Sequence, residues 1–411
     1  MAGANLQMKK NIVIVGAGHA AGQVMATLRQ KKYVGKIVLI GEEEHYPYQR
    51  PPLSKKFLAG ELAVERLYVK PPSFYDNPDI ELHLGTRVAR IDIASKTVTD
   101  VDNNAYDYEA LIIATGARVR KLDVPGSGLA GVHYLRNIQD VTALHEYMHE
   151  GKRLVIIGGG YIGLEVAAVA ASKGLHVTVI EMADRVMSRV VSEQVSEFYQ
   201  AEHRRHGVNL MLSVGFAGFS GGAALEQVDL TDGTMVAADF ALICIGVLPN
   251  VELAEDAGLE VDNGIRVDDR CRTSDASVYA IGDCTNHPNS LLGQRLRLES
   301  VHNALEQAKT VARNICGEDL QYAQVPWFWS DQYDLKLQIA GISHGYDRTV
   351  LRGDPANRAF SCLYLRDEQL IAIDSINSPK DFMQSKALIG SHAVISPDTL
   401  ADVDVALKDM V

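Results

Sequence analysis

Cysteine is scarce in this chain. Cys244, Cys271, Cys284, Cys316 and Cys362 are scattered, their number is odd, and no two form a Cys-x-x-Cys pair. No spacing suits zinc or an iron–sulfur cluster, so no metal site is expected. Free, mostly buried thiols in a reducing compartment fit that pattern, and the expected location is the cytoplasm. Long apolar runs are also missing. None reaches the roughly 18 to 20 residues of a membrane span, and Met1 to Lys10 holds no apolar stretch that reads as a signal peptide. Positive charge is in deficit: 40 Lys and Arg face 52 Asp and Glu, for a net charge of −12. A phosphate-neutralising surface would be basic, so nonspecific nucleic-acid binding is excluded, while a local basic patch for an acidic partner stays open. What remains is ordinary globular material, 411 residues at 47% hydrophobic and 22% charged, enough for two or three domains.

The most informative stretch is Gly158-Gly159-Gly160-Tyr161-Ile162-Gly163. Leu154 to Ile157 reads as a buried parallel strand leading in, and Leu164 to Ala168 reads as a helix leading out. Strand, glycine turn and helix N-terminus make a phosphate cradle. The first glycine permits the tight turn, the second lets backbone approach a pyrophosphate, and the third lets helix pack on strand. Val177 to Ile180 reads as the next strand and ends in Glu181, 23 residues after Gly158. That is close to the roughly 20-residue spacing of a ribose-binding carboxylate.

The pattern occurs twice. Asn11 to Val15 runs into Gly16-Ala17-Gly18-His19-Ala20-Ala21-Gly22, a helical stretch reaches Gln30, and a strand from Lys36 to Ile40 precedes Gly41-Glu42-Glu43-Glu44. Glu42 or Glu43 is the ribose candidate there. Two cradles that both keep glycines and acid call for two dinucleotides, and FAD with NAD(P)H is the natural pair: one gives hydride, the other takes two electrons and passes them on singly.

Between the copies lies Tyr46-Pro47-Tyr48-Gln49-Arg50-Pro51-Pro52-Leu53-Ser54-Lys55-Lys56, expected to be rigid and extended. Its useful charges are Arg50 and Lys55. A lysine beneath a flavin stabilises negative charge developing on the reduced ring, and a solvated basic loop is the alternative. Strands are expected at Ile80 to Leu84, Arg87 to Ile91, Thr97 to Val101 and Tyr108 to Ile113, the last ending in the small residues Ala114-Thr115-Gly116. Further on, Asp239 to Ile245 is a buried strand ending at Gly246, with Pro249 as a return crossing. Ser277 to Ile281 leads to Asp283, which either reaches a ligand hydroxyl or caps a following helix. Past Pro326-Trp327-Phe328-Trp329-Ser330-Asp331-Gln332-Tyr333 come alternating strands (Leu335 to Ala340, Thr349 to Arg352, Phe360 to Leu365, Leu370 to Ile376) and a helix from Ser378 to Ile389. This α+β module has no glycine cradle. Trp327 and Trp329 read as core aromatics, with one of them a candidate for flanking a planar ring.

Together these residues resemble the FAD-dependent ferredoxin reductases of bacterial cytochrome P450 and ring-hydroxylating oxygenase systems, the putidaredoxin reductase type. The resemblance covers nearly the whole chain. It is carried by VGAGHAAG from Val15, RPPLSK from Arg50, ATG from Ala114, GGGYIGLE from Gly158, IGDC from Ile281, RLESVHNA from Arg297 and PWFWSDQY from Pro326. It implies two Rossmann-like, glutathione-reductase-like α/β domains plus a C-terminal α+β domain. The expected division is FAD-binding at 1–117 and 248–326, NADH-binding at 118–247, and the C-terminal domain at 327–411.

By that resemblance FAD is contacted by Gly16, Gly18, His19, Ala20, Glu42, Lys55, Val88, Arg136, Asp283 and Val301, with Arg50 and the Ala114–Gly116 turn as lesser contacts. Lys55 and Glu299 lie near the isoalloxazine and Trp329 covers it. NADH is held by Gly160, Ile162 and Glu181, with Gly246 nearby and Tyr161 and Glu165 toward the nicotinamide. For Glu165 the alternative is a helix-start acid favoured by the dipole. The expected reaction passes hydride from NADH to FAD and single electrons to a [2Fe–2S] ferredoxin serving an oxygenase. Arg66, Arg295, Arg297, Lys309 and Arg313 are the docking candidates. A rubredoxin or other acceptor reductase is the near alternative; a slow-turnover redox sensor resembling apoptosis-inducing factor is the distant one. The wider disulfide reductases carry a redox cysteine pair where this chain has Pro51-Pro52-Leu53-Ser54-Lys55, so a thiol relay is not expected. Glu181 repels a 2′-phosphate and points to NADH over NADPH, a preference that nearby Arg185 can soften.

Overall fold

A computed structural model describes residues 11–410, so the reading of Met1 to Lys10 lies outside the described residues. The chain divides into two compact units. One runs through Arg50 and adds Val64–Arg118 and Leu248–Gln324; the other comprises Pro51–Ala63, Val119–Val247 and the chain from Val325 onward.

The first unit is built on a five-stranded parallel sheet in the order Val278–Ala280, Ala110–Ile113, Ile12–Val15, Ile37–Gly41, Ile80–Leu84. Ile12 to Val15 is wholly buried, as a central strand covered on both faces must be. Its alternation assigns the faces. Ile12 and Ile14 pack with Val24 and Leu28 of helix His19–Gln30 and with Ala308 and Val311 of helix Val301–Ile315. Val13 and Val15 pack instead with Val88, Ile91 and Val98 of an antiparallel meander spanning Val88–Asp107.

The second unit repeats this plan. Its parallel sheet runs Asn209–Met211, His176–Ile180, Arg153–Ile157, Phe240–Ile243, Val132–His133. The glycine strand is again central, and a meander across Phe216–Ala237 again precedes the strand beside it. That meander has no counterpart in the sequence reading. Gly218, Gly221 and Gly222 weaken its strand signal, and two register shifts interrupt it. The same unit holds a five-stranded antiparallel sheet, Trp327–Gln332, Leu335–Gly341, Gln369–Ile376, Ala359–Arg366, Arg348–Asp354. Trp327–Gln332 is itself a strand, unassigned from sequence because its aromatics read as core without a period.

Two sequence expectations need correction. Pro51–Ser54 forms a 3₁₀ turn rather than an extended segment. Proline fixes φ near −65°, which serves a helical turn as well as an extended chain, and tertiary packing chose the turn. Asp283 caps no helix: it sits in a short 3₁₀ turn, Gly282–Cys284, followed by strand Thr285–Asn289. The next helix is capped by Ser300, which accepts from the Asn303 amide. Among the described residues no helix is long and apolar enough to cross a membrane.

In the antiparallel sheet Asp374 is buried at 1% exposure. Its Oδ2 accepts the Tyr364 hydroxyl, the Tyr364 oxygen accepts from the Ser192 amide at 2.7 Å, and Oδ1 has no hydrogen-bond partner among the described residues. Burial pushes this carboxyl up to about 7. The folded state therefore holds a proton that the unfolded chain releases near pH 3.8, and stability falls as pH rises between those values. Asp374→Asn keeps the acceptor for Tyr364 without a charge. Its melting temperature should gain on the wild type progressively from about pH 4 to about pH 7 and run level above. Parallel Tm curves across that window would refute the assignment.

Candidate functional site

Each unit places a glycine turn between a central strand and a helix N-terminus. Gly16 has φ +105°, and a Cβ there would lie 2.3 Å from the Ala114 carbonyl oxygen. Gly158 has φ +107° and would meet Cys244 O at 2.4 Å. The next glycine is the opposite case. Gly18 and Gly160 are the N-caps of helices His19–Gln30 and Tyr161–Ser172, neither end has a described side-chain cap, and no described atom lies within 4 Å of a Cβ built at either. The first glycine is thus closed by its neighbouring strand and the second faces open space with amide N–H groups pointing outward. The third position packs: Gly163 would bring a Cβ 2.3 Å from Gly158 O, and Ala21 is fully buried. A diphosphate fits both turns.

In the first unit Glu42 directly follows strand Ile37–Gly41 and is exposed. Glu43 is committed elsewhere, accepting from Tyr48 Oη at 2.5 Å and Arg50 Nη2 at 2.6 Å. The structure thereby separates two acids that sequence left equivalent. His19 opens the first helix with Nδ1 buried and without a hydrogen-bond partner among the described residues. Burial, with Arg50 adding and Asp283 opposing, lowers it to about 4, so it stands as a neutral imidazole at the turn. Beyond strand Ala110–Ile113, Thr115 Oγ1 donates to Asn250 O at 2.7 Å, Asn250 Nδ2 donates back to Thr115 O at 2.9 Å, and Gly116 has φ +63°. Val88 lies buried in the meander core, and Val301 is the first residue of its helix.

In the second unit Glu181 follows strand His176–Ile180. Its Oε2 accepts from the Gly159 amide at 2.7 Å and its Oε1 from the Ala183 amide at 2.9 Å. Arg185 donates to the carbonyls of Ser188 and Val191, so its guanidinium serves its own loop. Ile162 is 42% exposed on the first turn of its helix, and Tyr161 packs against Phe328 at 4.9 Å between ring centroids. Gly246 has φ +98°, with its carbonyl accepting from Arg120 N; Arg136 precedes the capping box of helix Ile138–His145. Trp329 tilts against Trp327 at 5.6 Å.

The second unit also holds a buried charge pair. Glu165 is 3% exposed, and Lys55 Nζ donates to its Oε2 at 2.6 Å. Ser54 Oγ donates to the same oxygen at 2.5 Å, and Ser330 Oγ donates to Oε1 at 2.6 Å. A buried carboxylate with one cation and two hydroxyls is fully satisfied and leaves the ammonium fixed in direction. Sequence reasoning named Lys55 and Glu165 and missed both serines. The available signal was a polar residue on the inward face of an aromatic strand, Phe328, Ser330 and Gln332 alternating with Trp327, Trp329 and Asp331.

Of the docking candidates, Arg297 pairs with Glu299 at 2.5 Å, Lys309 with Glu306 at 2.6 Å and Arg313 with Glu318 at 2.5 Å. Arg295 donates to the carbonyls of Val267 and Asn286. Arg66 is exposed with no ion pair among the described residues.

Residues 10–308 match the family described as pyridine nucleotide-disulphide oxidoreductase, and residues 327–411 match a reductase C-terminal family. A ferredoxin–NAD(P)(+) reductase of a Sphingomonas species is 43% identical over 97% of this chain and 97% of its own. A rubredoxin–NAD(+) reductase of Pseudomonas putida is 43% identical over 90% of this chain and 96% of its own. The crystal structure of a covalent putidaredoxin reductase–putidaredoxin complex superposes with a TM-score of 0.95 at 40% identity, covering 99% of this chain and 98% of that one.

The buried pair makes a stability prediction. Lys55→Met strands the Glu165 charge and should cost on the order of 3 kcal/mol, most of which Lys55→Met combined with Glu165→Gln recovers. Denaturant melts of the single and double variants measure it, and additive losses would show that the two side chains do not couple.

Proposed function

The chain belongs to the pyridine nucleotide-disulphide oxidoreductase family, in its ferredoxin reductase branch, and on that premise we propose that it carries electrons from NADH through FAD to a [2Fe–2S] ferredoxin. The supply of a cytochrome P450 or another oxygenase through that ferredoxin belongs to the same reading. The observation that carries the reading is the doubled cradle: two glycine turns of one geometry, each open at the second glycine. Bound FAD supplies the conversion between a two-electron hydride and single electrons. All five cysteines are free. Burial pushes the Cys244 and Cys362 thiols up to about 12 and raises Cys271, Cys284 and Cys316, which argues against a thiolate relay near neutral pH.

The residues then take these roles. Gly16, Gly18, His19 and Ala20 cradle the FAD pyrophosphate, Glu42 takes its ribose, and Arg50, Val88, Ala114, Thr115, Gly116, Arg136, Asp283 and Val301 complete the contacts. Lys55 holds a fixed cation at the isoalloxazine, Glu299 lies near it, and Trp329 covers it. Gly160, Tyr161, Ile162 and Gly246 hold NADH. Glu181 accepts from its ribose hydroxyls, already oriented by the Gly159 and Ala183 amides. The division into 1–117 with 248–326, 118–247 and 327–411 follows these roles. Arg66, Arg295, Arg297, Lys309 and Arg313 are the proposed ferredoxin face. Rubredoxin remains the second acceptor to test, because a rubredoxin reductase is as similar as a ferredoxin reductase.

Purified protein should show a flavin spectrum that NADH bleaches anaerobically and a ferredoxin restores; protein that takes up no flavin would overturn the reading. NADH should exceed NADPH in kcat/KM by at least roughly ten-fold, and Glu181→Ala should narrow the ratio. A native preference for NADPH would remove the Glu181 role. Charge reversal at Lys309 and Arg313 should raise KM for ferredoxin and weaken its salt dependence. Unchanged kinetics would strike both residues from the docking face.

A further inference from the structure

A polar chain runs from Glu165 through the interior of the second unit. Ser330 Oγ lies 2.6 Å from Glu165 Oε1, Gln332 Nε2 lies 3.2 Å from Ser330 Oγ, His203 Nε2 lies 2.9 Å from Gln332 Oε1, and Tyr333 Oη lies 3.0 Å from His203 Nδ1. Ser330, Gln332 and His203 are fully buried. At the outer end Tyr333 stacks on the exposed His206, 3.7 Å between centroids at 11°. Tyr333 also occupies the tip of a two-residue hairpin with φ +56°. A bulky residue avoids that conformation unless its surroundings hold it there.

Each donor direction in this chain follows from one fact. An ionised carboxylate only accepts. Ser330 must therefore donate to Glu165, leaving its oxygen to accept from the Gln332 amide nitrogen. That orients Gln332 with Oε1 toward His203, so His203 must carry its proton on Nε2. His203 Nδ1 is then a bare acceptor, and Tyr333 must donate to it. Burial lowers His203 to about 4, which keeps the ring neutral and preserves the alternation.

We propose that Ser330, Gln332, His203 and Tyr333 are positioning residues that hold the Glu165 carboxylate, and through it the Lys55 ammonium, by a one-way hydrogen-bond chain locked to the Nε2–H tautomer of His203. The proposal rests on the reading that Lys55 serves bound FAD. Its logic is local. Without the His203 donor, Gln332 is free to flip and offer its oxygen to Ser330, which then has a second acceptor competing with Glu165. Glu165 loses one of three donors, and Lys55 loses its fixed counterion.

The test combines spectroscopy with kinetics on the flavin-loaded full chain. With ¹⁵N-labelled histidine, long-range proton–nitrogen correlation spectra should show His203, assigned by its loss in His203→Gln, as a single neutral Nε2–H tautomer from about pH 6 to about pH 8. Tyr333→Phe, a change at the outer end of the chain, should leave that tautomer in place, whereas Ser330→Ala, which frees Gln332 to flip, should release it into a tautomer mixture. An imidazolium, an Nδ1–H tautomer or a mixture in the wild type would overturn the proposal. In rapid mixing with NADH, Gln332→Met and His203→Leu should slow flavin reduction roughly ten-fold, with NADH affinity held within about two-fold. His203→Gln, which keeps an N–H for Gln332, should restore most of that rate. Lowered thermal stability with wild-type reduction rates would make the chain merely structural and refute the proposal. A wild type that binds no flavin or ignores NADH would defeat the functional reading instead, while the tautomer result would still judge the chain.

Discussion

A carboxylate at 3% exposure is the constraint on which the centre of the second unit depends. An unpaired charge there would cost several kcal/mol, so the fold has to bring donors to Glu165. It does so from separate stretches: Ser54 and Lys55 from the proline turn, Ser330 from the first strand of the antiparallel sheet. Glu165 is the fifth residue of helix Tyr161–Ser172, already past the exposed amides of the first turn. The helix dipole is thus a minor contributor, and the lysine and two hydroxyls set its state. This also gives the Pro51–Ser54 turn a purpose. A 3₁₀ turn places Ser54 and Lys55 side by side on one carboxylate oxygen, whereas an extended strand would point them to opposite faces.

The two parallel sheets show what a repeated plan keeps and what it varies. Both keep a central glycine strand, a helix starting at an open glycine, and a meander before the neighbouring strand. They differ at the acid. Glu181 is tied by two backbone amides, which orient it toward one geometry. Glu42 is exposed beside Glu43, which Arg50 and Tyr48 occupy. They also differ in their edge strand: Val278–Ala280 returns late in the chain to one sheet, while Val132–His133 enters early in the other. Equal cradles with unequal surroundings suit two different dinucleotides.

How much of this was legible in the sequence depends on the range of the interaction. The cradles were legible because strand, turn and helix are contiguous and each glycine answers a local steric demand, as Gly16 and Gly158 show. The strands of the antiparallel sheet were legible from alternation, within a residue or two of their ends. Trp327–Gln332 was not, since a strand with aromatics on both faces has no readable period. Lys55 and Glu165 were each named, Lys55 as a charge in the proline segment and Glu165 from family likeness, but their pairing was not, because residues 110 positions apart leave no mark in spacing. Ser330 and Gln332 left only the polar face of an aromatic strand and His203 left no mark, and the chain they form exists only once the sheet stands against helix Glu193–Arg205.

The surface charges separate by the same reasoning about magnitude. The partners of Lys309 and Arg313 are acids near the surface, at 27% and 30% side-chain exposure, and the side chains of both cations are about two-fifths exposed. Such pairs are worth about 0–1 kcal/mol, so a docking partner's carboxylates can displace Glu306 and Glu318 at little cost. Pairing therefore does not disqualify those residues as recognition sites. Arg295 is different. Its guanidinium spans two backbone carbonyls and the Asn286 side chain, and burial lowers its pKa. Pulling it outward would leave the Val267 carbonyl without its donor, a loss of about 1–3 kcal/mol and more than a rim contact returns, while Asn286 O keeps the Val267 amide. On a chain of net charge −12, attraction of an acidic protein has to come from cations free to change partners, and that weighs Arg66, Lys309 and Arg313 above Arg295.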